Sequence, residues 1–131
     1  MNNKSALISA GLVLLSAVVL GAFGAHNLET RISNDSIQTF NTGIEYQFYH
    51  GLGIIGLILI GKVFDLNLKW AVRLLFYGVI LFSGSLYLIS IQSILGAPHL
   101  SKAIWPITPI GGVSFIVGWL LFMIKSFKLS K

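Results

Sequence analysis

Four long apolar segments constrain this chain more than any other feature of its sequence. They cover about residues 5–25, 44–61, 71–93 and 109–124. A helix needs about 20 mainly apolar residues to cross the hydrocarbon core of a bilayer. The sequence therefore predicts an all-α integral membrane protein whose single domain, residues 1–131, is a bundle of four transmembrane helices.

The composition agrees with this prediction and excludes several classes of function. Hydrophobic residues make up 55% of the chain and charged residues only 10%, whereas soluble domains carry about 25% charged residues. The net charge of +5 comes from basic residues that form no stripe, so we expect no nucleic-acid partner and a lipid bilayer as the surroundings. The absence of cysteine excludes disulfides, thiolate metal ligands and thiol catalysis.

The basic residues also predict the orientation. If the segments alternate across the membrane, one side carries Lys4, Lys62, Lys69, Arg73, Lys125, Lys128 and Lys131. The other side carries only Arg31 and Lys102. Because cytoplasmic loops are enriched in Lys and Arg, we expect both termini to be cytoplasmic and the protein to be a multi-pass protein of the bacterial inner membrane.

The first apolar segment has some features of a secretory signal peptide. Lys4 precedes it, and Ala22 and Gly24 could occupy the small-residue positions before a cleavage site. Its apolar run of about 21 residues is, however, longer than the usual signal core of about 7–15 residues. We therefore interpret the segment as a retained transmembrane helix.

The first connection on the outer side contains a second helical pattern. Asp35 could cap a helix, with Gln38 three residues later as the capping-box partner. Apolar residues follow at helical spacing, namely Ile37, Phe40, Ile44 and Phe48. This stretch is either a short amphipathic helix on the membrane surface or an outward extension of the second span, a helix over 36–62 with Gly43 as a candidate bend.

The connection before the fourth segment is interrupted by Pro98 and Pro106. Trp105 in this connection is typical of an interfacial anchor. The order of Thr108 and Pro109 suits an N-cap followed by the first helical position, where the missing N–H of proline has no cost. We therefore expect the fourth helix to begin there.

Small residues recur on one face of several segments. Helices in lipid associate by close packing, so small residues mark their contact faces. The candidate helix-packing glycines are Gly21, Gly24, Gly53, Gly84, Gly111 and Gly118. These stripes indicate a tightly packed bundle, and one of them could instead form the interface of a homo-oligomer or of a complex with another membrane protein.

The polar residues of the spans gather toward the outer side. The candidates for a shared cluster are His26, Gln47, His50, Ser83 and Tyr87. Three hypotheses remain open for them: a structural hydrogen-bond network, a site for a lipid headgroup, quinone or other small ligand, and a metal or proton site. The metal hypothesis has the least support, because the histidines show no paired spacing such as HxxxH.

Sequence signatures of enzymes are not found. The chain has no GxSxG elbow, no phosphate-binding loop and no paired catalytic carboxylates. A transporter would be expected to show inverted repeats and broken helices, and the sequence shows neither pattern. We therefore expect an uncharacterised, non-enzymatic membrane protein with no catalytic residue, metal or cofactor, and ligand binding at the outer polar cluster is the alternative. A redox or metal-linked enzyme ranks third.

Four motifs, in order, resemble a known family: "LGAFGAHNLE", "FNTGIEYQFYHGLGIIGL", "ILFSGSLYLIS" and "ITPIGGVSFIVGWLLF". The chain resembles the small four-span membrane proteins of unknown function that include bacterial YwdK and YgdD and a similar protein of animal mitochondria. The resemblance implies a four-helix bundle in the bacterial inner membrane and no established activity. It adds Tyr46 to the candidate ligand-binding residues and lowers the interest of Glu45, where the family pattern more often has an uncharged residue.

Overall fold

The computed structural model describes residues 3–127 and 129, and within this part it gives no side-chain placement for Phe23 and Ala25. The regular segments described are all helical. They are α1 (Asn3–Val19), a π-helical turn (Leu20–Gly24), α2 (Ala25–Leu28), α3 (Asn34–Val63), α4 (Lys69–Ser90), α5 (Leu100–Ile104) and α6 (Ile107–Ser126). Lys128 and Lys131, which contribute to the predicted orientation, lie outside the described residues.

Four helical stretches are long and apolar enough to cross a membrane: Asn3–Leu28, Asn34–Val63, Lys69–Ser90 and Leu100–Ser126. This finding confirms the predicted all-α fold with four candidate membrane spans. The first stretch is continuous through the π-helical turn, where a wider turn accommodates the small residues Gly21, Ala22 and Gly24.

Helix α3 resolves the alternatives for the first outer connection. It is one uninterrupted helix of 30 residues, or about 45 Å at 1.5 Å per residue. The second span is therefore extended at its N-terminal end, and within the described residues no separate amphipathic helix at 36–43 is found. The predicted cap at Asp35 is wrong, because Ser33 is the N-cap and its hydroxyl accepts a hydrogen bond from the Ser36 N–H at 3.3 Å.

The start of α6 also differs from the prediction. The helix begins at Ile107 with Pro106 at the N-cap, so Thr108 and Pro109 lie inside its first turn. Pro109 is tolerated there because the first N–H groups of a helix have no partner within the helix. Thr108 does not cap the helix; its hydroxyl lies 2.7 Å from the hydroxyl of Ser85 on α4.

The end of α3 is shaped by a left-handed residue. Asp65 has a φ of 51°, and the Leu66 N–H donates to the Gly61 carbonyl at 2.9 Å. This bond joins the second residue beyond the cap to the third residue before it, which is the Schellman pattern. The chain thereby turns within Phe64–Leu68 and enters α4 beside α3.

The helices pack in chain order. Helices α3 and α4 form the central pair, with α1 packed mainly on α3 and α6 packed on α4. The core between them contains Ala10, Ile54, Leu57, Ala71, Leu75 and Phe115. Large apolar side chains such as Leu12, Leu15 and Ile116 lie exposed on the outside, as expected where a helix faces lipid.

Close approaches explain several glycines. An added Cβ at Gly111 would lie 2.5 Å from the backbone nitrogen of Phe82, and one at Gly118 would lie 2.9 Å from a Leu75 methyl group. At Gly43 it would lie 2.7 Å from the ring of Tyr87, so this glycine permits a helix contact and the predicted bend is not found. Gly84 has no neighbouring atom within 4 Å at the Cβ position, and the predicted packing contact is absent there.

The other candidate packing glycines make looser contacts. An added Cβ would lie 3.7 Å from Ile44 at Gly21, 3.2 Å from the Phe40 ring at Gly24, and 3.0 Å from the Trp119 ring at Gly53. These neighbours are side chains, which can shift, whereas the backbone beside Gly111 cannot. The contact between α4 and α6 is therefore the one in the bundle that depends most strictly on glycine.

Candidate functional site

The amide of Gln47 joins three helices inside the bundle. Its nitrogen donates to the Val13 carbonyl and to the Ser16 hydroxyl of α1, both at 2.8 Å. Its oxygen accepts from the Tyr87 hydroxyl of α4 at 2.6 Å. We call Gln47, Ser16 and Tyr87 the amide node. Both N–H groups of the amide are used, so the node is a closed link that leaves Gln47 no donor for a ligand.

The surroundings of the node are well packed. The Tyr87 ring lies 4.9 Å from the Phe40 ring, centroid to centroid, and Gly43 leaves room for it. Gln47 is only 4% exposed. The node therefore belongs to the interior of the bundle.

Ser83 and Ser85 lie near the node on α4 but have other roles. The Ser85 hydroxyl bonds to the Phe82 carbonyl at 2.8 Å and to Thr108. Ser83 is 1% exposed, and its hydroxyl is the one fully enclosed side-chain polar atom without a hydrogen-bond partner among the residues that the structure describes. Neither side chain reaches the surface of a cavity that also contains His50.

His50 faces the other flank of α3, toward α6. Its ring is stacked on the ring of Phe115, with centroids 3.5 Å apart and planes 11° apart. Its Nδ1 lies 2.8 Å from the Tyr46 carbonyl oxygen one turn earlier. A carbonyl oxygen only accepts hydrogen bonds, so Nδ1 carries the hydrogen, and in the neutral ring Nε2 has a free lone pair.

His50 lines a groove between α3 and α6 that we call the aromatic groove. It has a volume of about 560 Å³, within the range of about 300–1,000 Å³ typical of small-molecule sites. Its lining residues are Tyr46, His50, Phe82, Gly112, Phe115, Ile116, Trp119, Leu120 and Met123. Tyr46, Phe82, Phe115 and Trp119 are aromatic. The nitrogen- and oxygen-bearing side chains of the lining are those of Tyr46, His50 and Trp119.

The structure thus divides the predicted cluster. Gln47 and Tyr87 form the amide node, Tyr46 and His50 line the aromatic groove, and Ser83 is enclosed between helices. His26 joins none of these, since its side chain is 85% exposed and lies 3.7 Å from the Glu29 carboxylate. Within the described part of the chain there is no group of three His, Cys, Asp or Glu side chains that could hold a metal ion.

A second groove lies on the opposite flank, between α1 and α4. It has a volume of about 400 Å³ and is lined mainly by apolar residues, with Gln47 and Tyr87 at its base. Gly84 also lines it, which accounts for the open space at that glycine. The polar atoms of Gln47 are hydrogen-bonded within the protein, so they are not available to a ligand in this groove. The Nε2 lone pair of His50 is available in the aromatic groove.

Sequence reasoning missed several residues of both sites. Ser16 is an isolated serine in an apolar helix, and only the three-dimensional register of α1 and α3 brings it to Gln47. Phe115 and Trp119 have the i, i+4 spacing that places side chains on one helix face. That spacing could have indicated a shared surface, but aromatic residues are equally common where helices face lipid.

The fold and the two polar sites define the class of this protein: a small multi-pass membrane protein whose helices are joined through buried polar groups. The sequence comparisons agree. Residues 20–112 match the family described as "Protein of unknown function (DUF423)", and the chain belongs to this family.

Its relatives are named membrane proteins of the group UPF0382. The chain is 41% identical to one from Staphylococcus saprophyticus, over 96% of this chain and 99% of the relative. It is 42% identical to one from Staphylococcus epidermidis, over 97% and 98%. It is 40% identical to YwdK of Bacillus subtilis, over 95% and 98%. No solved structure matches the chain.

Proposed function

We propose that this protein is a non-enzymatic protein of the bacterial cytoplasmic membrane that binds a mainly apolar molecule with one small polar part in the aromatic groove. The observation that carries the proposal is the combination of a groove of about 560 Å³ with one buried histidine on its wall. Ligand sites are typically concave and apolar with a few polar groups that orient the ligand. The aromatic groove has this composition.

The orientation proposed with this function follows the positive-inside rule. The Phe64–Leu68 turn is flanked by Lys62 and Lys69, which supports a cytoplasmic location for this turn and for both termini. In that orientation the Tyr46 end of the aromatic groove is nearer the outer leaflet, and the Met123 end is nearer the inner leaflet.

The test is the retention of a bound molecule. The protein is extracted from bacterial membranes in a mild detergent and examined by native mass spectrometry, with two variants for comparison. Gly112→Leu fills the groove, because Gly112 lines it and the Phe82 ring is 3.9 Å from the Cβ position. Gly56→Leu adds the same side chain to α3 at a position with no neighbour within 4 Å and outside the groove lining.

We expect wild type and Gly56→Leu to retain a small apolar molecule and Gly112→Leu to lose it. Equal retention by all three proteins would mean that the molecule binds elsewhere. Retention by none, from membranes that contain the native lipids and cofactors, would also contradict the proposal.

Association through an outer helix face is the second candidate function. Gly11 has no neighbour within 4 Å at its Cβ position, and the exposed side chains around it on α1 include Leu7, Leu12 and Leu15. A small residue on a lipid-facing surface permits the close approach of another helix. Chemical cross-linking in membranes should then detect a complex that Gly11→Leu removes, whereas an unchanged pattern would exclude this face.

A further inference from the structure

We infer that the aromatic groove selects an amphiphile whose polar part is a neutral aromatic ring with a hydroxyl donor, namely a hydroquinone with an apolar tail. This inference rests on the proposed function, since it names the class of ligand for the same groove. It is carried by the hydrogen-bond geometry of His50, by its depth in the bundle and by the rings that surround it.

The hydrogen bonding of His50 fixes the kind of group it can bind. Nδ1 is held by the Tyr46 carbonyl at 2.8 Å, which leaves Nε2 as an acceptor in the neutral ring. No polar atom of the described residues bonds to Nε2, and Nε2 is not among their fully enclosed unpaired atoms. Nε2 therefore has access to the groove and is matched by a ligand that donates a hydrogen bond.

The depth of His50 excludes a charged headgroup. Lys62 marks one boundary of the apolar part of α3, and His50 lies twelve residues before it, or about 18 Å along the helix. The hydrocarbon core is about 30 Å thick, so the imidazole lies well inside it. Phosphate or ammonium groups are costly at this depth, whereas a hydroxyl that donates to Nε2 is satisfied there.

The aromatic lining favours a ring over a simple alcohol. The rings of Tyr46, Phe82 and Phe115 lie against each other, with centroid distances of 4.6 Å between Tyr46 and Phe82 and 5.6 Å between Phe82 and Phe115. Trp119 lies 6.3 Å from His50. Aromatic pairs at such separations gain free energy beyond the burial of their area, and a planar ligand ring would extend this group.

The remaining part of the groove suits an apolar tail. From Gly112 to Met123 the lining of α6 is without a charged residue, and these twelve residues extend about 16 Å along the helix. The Tyr46 hydroxyl can both donate and accept, so it does not discriminate between ligands. Two groups of the lining do discriminate: the Trp119 indole N–H only donates, and Nε2 only accepts. We assign the ring hydroxyl to Nε2, beside the rings of Phe115 and Tyr46.

The test compares three ligands that share one tail: a hydroquinone with a decyl chain, the corresponding benzoquinone, and the corresponding dimethyl ether. Binding of each radiolabelled ligand to the protein in phosphatidylcholine nanodiscs is measured by scintillation proximity, with empty nanodiscs subtracted, and the hydroquinone is kept reduced under argon. The quinone has no hydroxyl donor and is no larger than the hydroquinone. The dimethyl ether also has no hydroxyl donor, but its methyl groups make it larger. The variant His50→Phe keeps an aromatic ring at this position and removes both nitrogens.

We expect the hydroquinone to bind wild type about fivefold to tenfold more tightly than the quinone or the ether, as one added hydrogen bond allows. In His50→Phe the three affinities should become equal. Equal binding of all three ligands to wild type would overturn the inference and leave the proposed groove standing. Tighter binding of the quinone would mean that a donor of the lining, such as the Trp119 indole N–H, orients the ring instead of Nε2, and it would also overturn the inference.

If wild type binds none of the three ligands, the inference is contradicted. If native mass spectrometry also finds no bound molecule, the proposed function is contradicted as well. The comparison of ligands on wild type does not depend on the variant. If His50→Phe does not fold, as judged by its thermal unfolding in detergent, the ratio of the three wild-type affinities still decides the question.

Discussion

Gln47 links α1, α3 and α4 through three hydrogen bonds of 2.6–2.8 Å. Without these hydrogen bonds, the Gln47 amide and the Tyr87 hydroxyl would be polar groups without partners inside an apolar bundle. Hydrogen bonds between transmembrane helices stabilise membrane proteins by about 0.6 kcal/mol on average and up to about 1.7 kcal/mol. The amide node is therefore a main determinant of how α1 is held against the central pair.

Replacing Gln47 by leucine should lower the free energy of unfolding by about 2 kcal/mol, the sum of three bonds of ordinary strength. The measurement is thermal or denaturant unfolding in detergent. Gln38→Leu is the matched control, because Gln38 lies exposed on the same helix and its side chain takes part in no hydrogen bond described there. A Gln47→Leu protein as stable as Gln38→Leu would show that the node contributes nothing.

The candidate residues could be found from the sequence, but their grouping could not. Gln47, His50 and Tyr87 are conspicuous because polar side chains are rare in spans. The sequence shows that Gln47 and His50 are three residues apart, yet it does not show which neighbour each meets. That depends on the register of α1 and α6 against α3, which is set by close approaches such as Gly51 against Leu14 and Gly53 against Trp119.

The prediction for His26 shows a second limit. Its position near the end of an apolar segment is compatible with a place in a polar cluster or with a solvated turn. In the structure it lies in α2, after the π-helical turn, with its side chain 85% exposed. A one-residue widening of a helix changes the direction of every later side chain, and the sequence gives no sign of where such a turn occurs.

At the scale of the helices, Gly111 is the glycine of the α4–α6 contact where an added Cβ would lie nearest to backbone. Gly111→Ala would place a methyl group 2.5 Å from the Phe82 backbone nitrogen, and backbone cannot move aside as a side chain can. We expect a loss of about 1–3 kcal/mol, as for other overpacked sites. Unfolding in detergent measures this loss.

The neighbouring Gly112→Ala is the control for this prediction. Its added Cβ would lie 3.9 Å from the Phe82 ring, an ordinary contact, so its stability should match that of wild type. If the two alanine variants unfold together, the close approach at Gly111 is not a determinant of the packing.

The turn after α3 gives a prediction of the opposite sign. Asp65 adopts a φ of 51°, a conformation that costs residues with a Cβ up to about 1–2 kcal/mol and costs glycine little. Asp65→Gly should therefore raise the midpoint of thermal unfolding slightly, whereas Asp65→Val should lower it. A lower midpoint for the glycine variant would contradict this account of the turn.

The sequence predicts which segments form helices, but it does not predict where those helices begin. The apolar segments are long enough to identify four spans, and the described part of the chain has four helical stretches of sufficient length and hydropathy. The caps depend on local competition: Ser33 takes the position expected for Asp35, and Pro106 precedes the helix expected to start at Thr108 and Pro109. Several residues near each end can cap, and the sequence alone does not choose among them.

For the whole molecule, the positive-inside rule predicts which ends of the helices are cytoplasmic. The native chain has no cysteine, so single cysteines can be introduced at the exposed positions His99 and Asn67. A membrane-impermeant maleimide should label His99→Cys in intact cells. It should label Asn67→Cys only after the membrane is permeabilised, and the reverse pattern would invert the topology.

The arrangement of the four helices explains why a groove is present beside α3. Helix α6 packs on α4, and the space left beside α3 is lined by His50 and by the rings of Phe115 and Trp119. The exposed face of α1 is equally apolar, and Leu12 on this face lines the second groove, but that groove has no histidine in its lining. Specific binding should therefore be confined to the α3–α6 side.

The most direct test is to map where such a ligand sits. A decyl hydroquinone with a diazirine in its tail is photolysed with the protein in nanodiscs, and the labelled residues are identified by mass spectrometry. The account predicts labels on Trp119, Leu120 and Met123 that excess unlabelled hydroquinone removes. Labels spread over α1 and the other exposed faces without competition would contradict it.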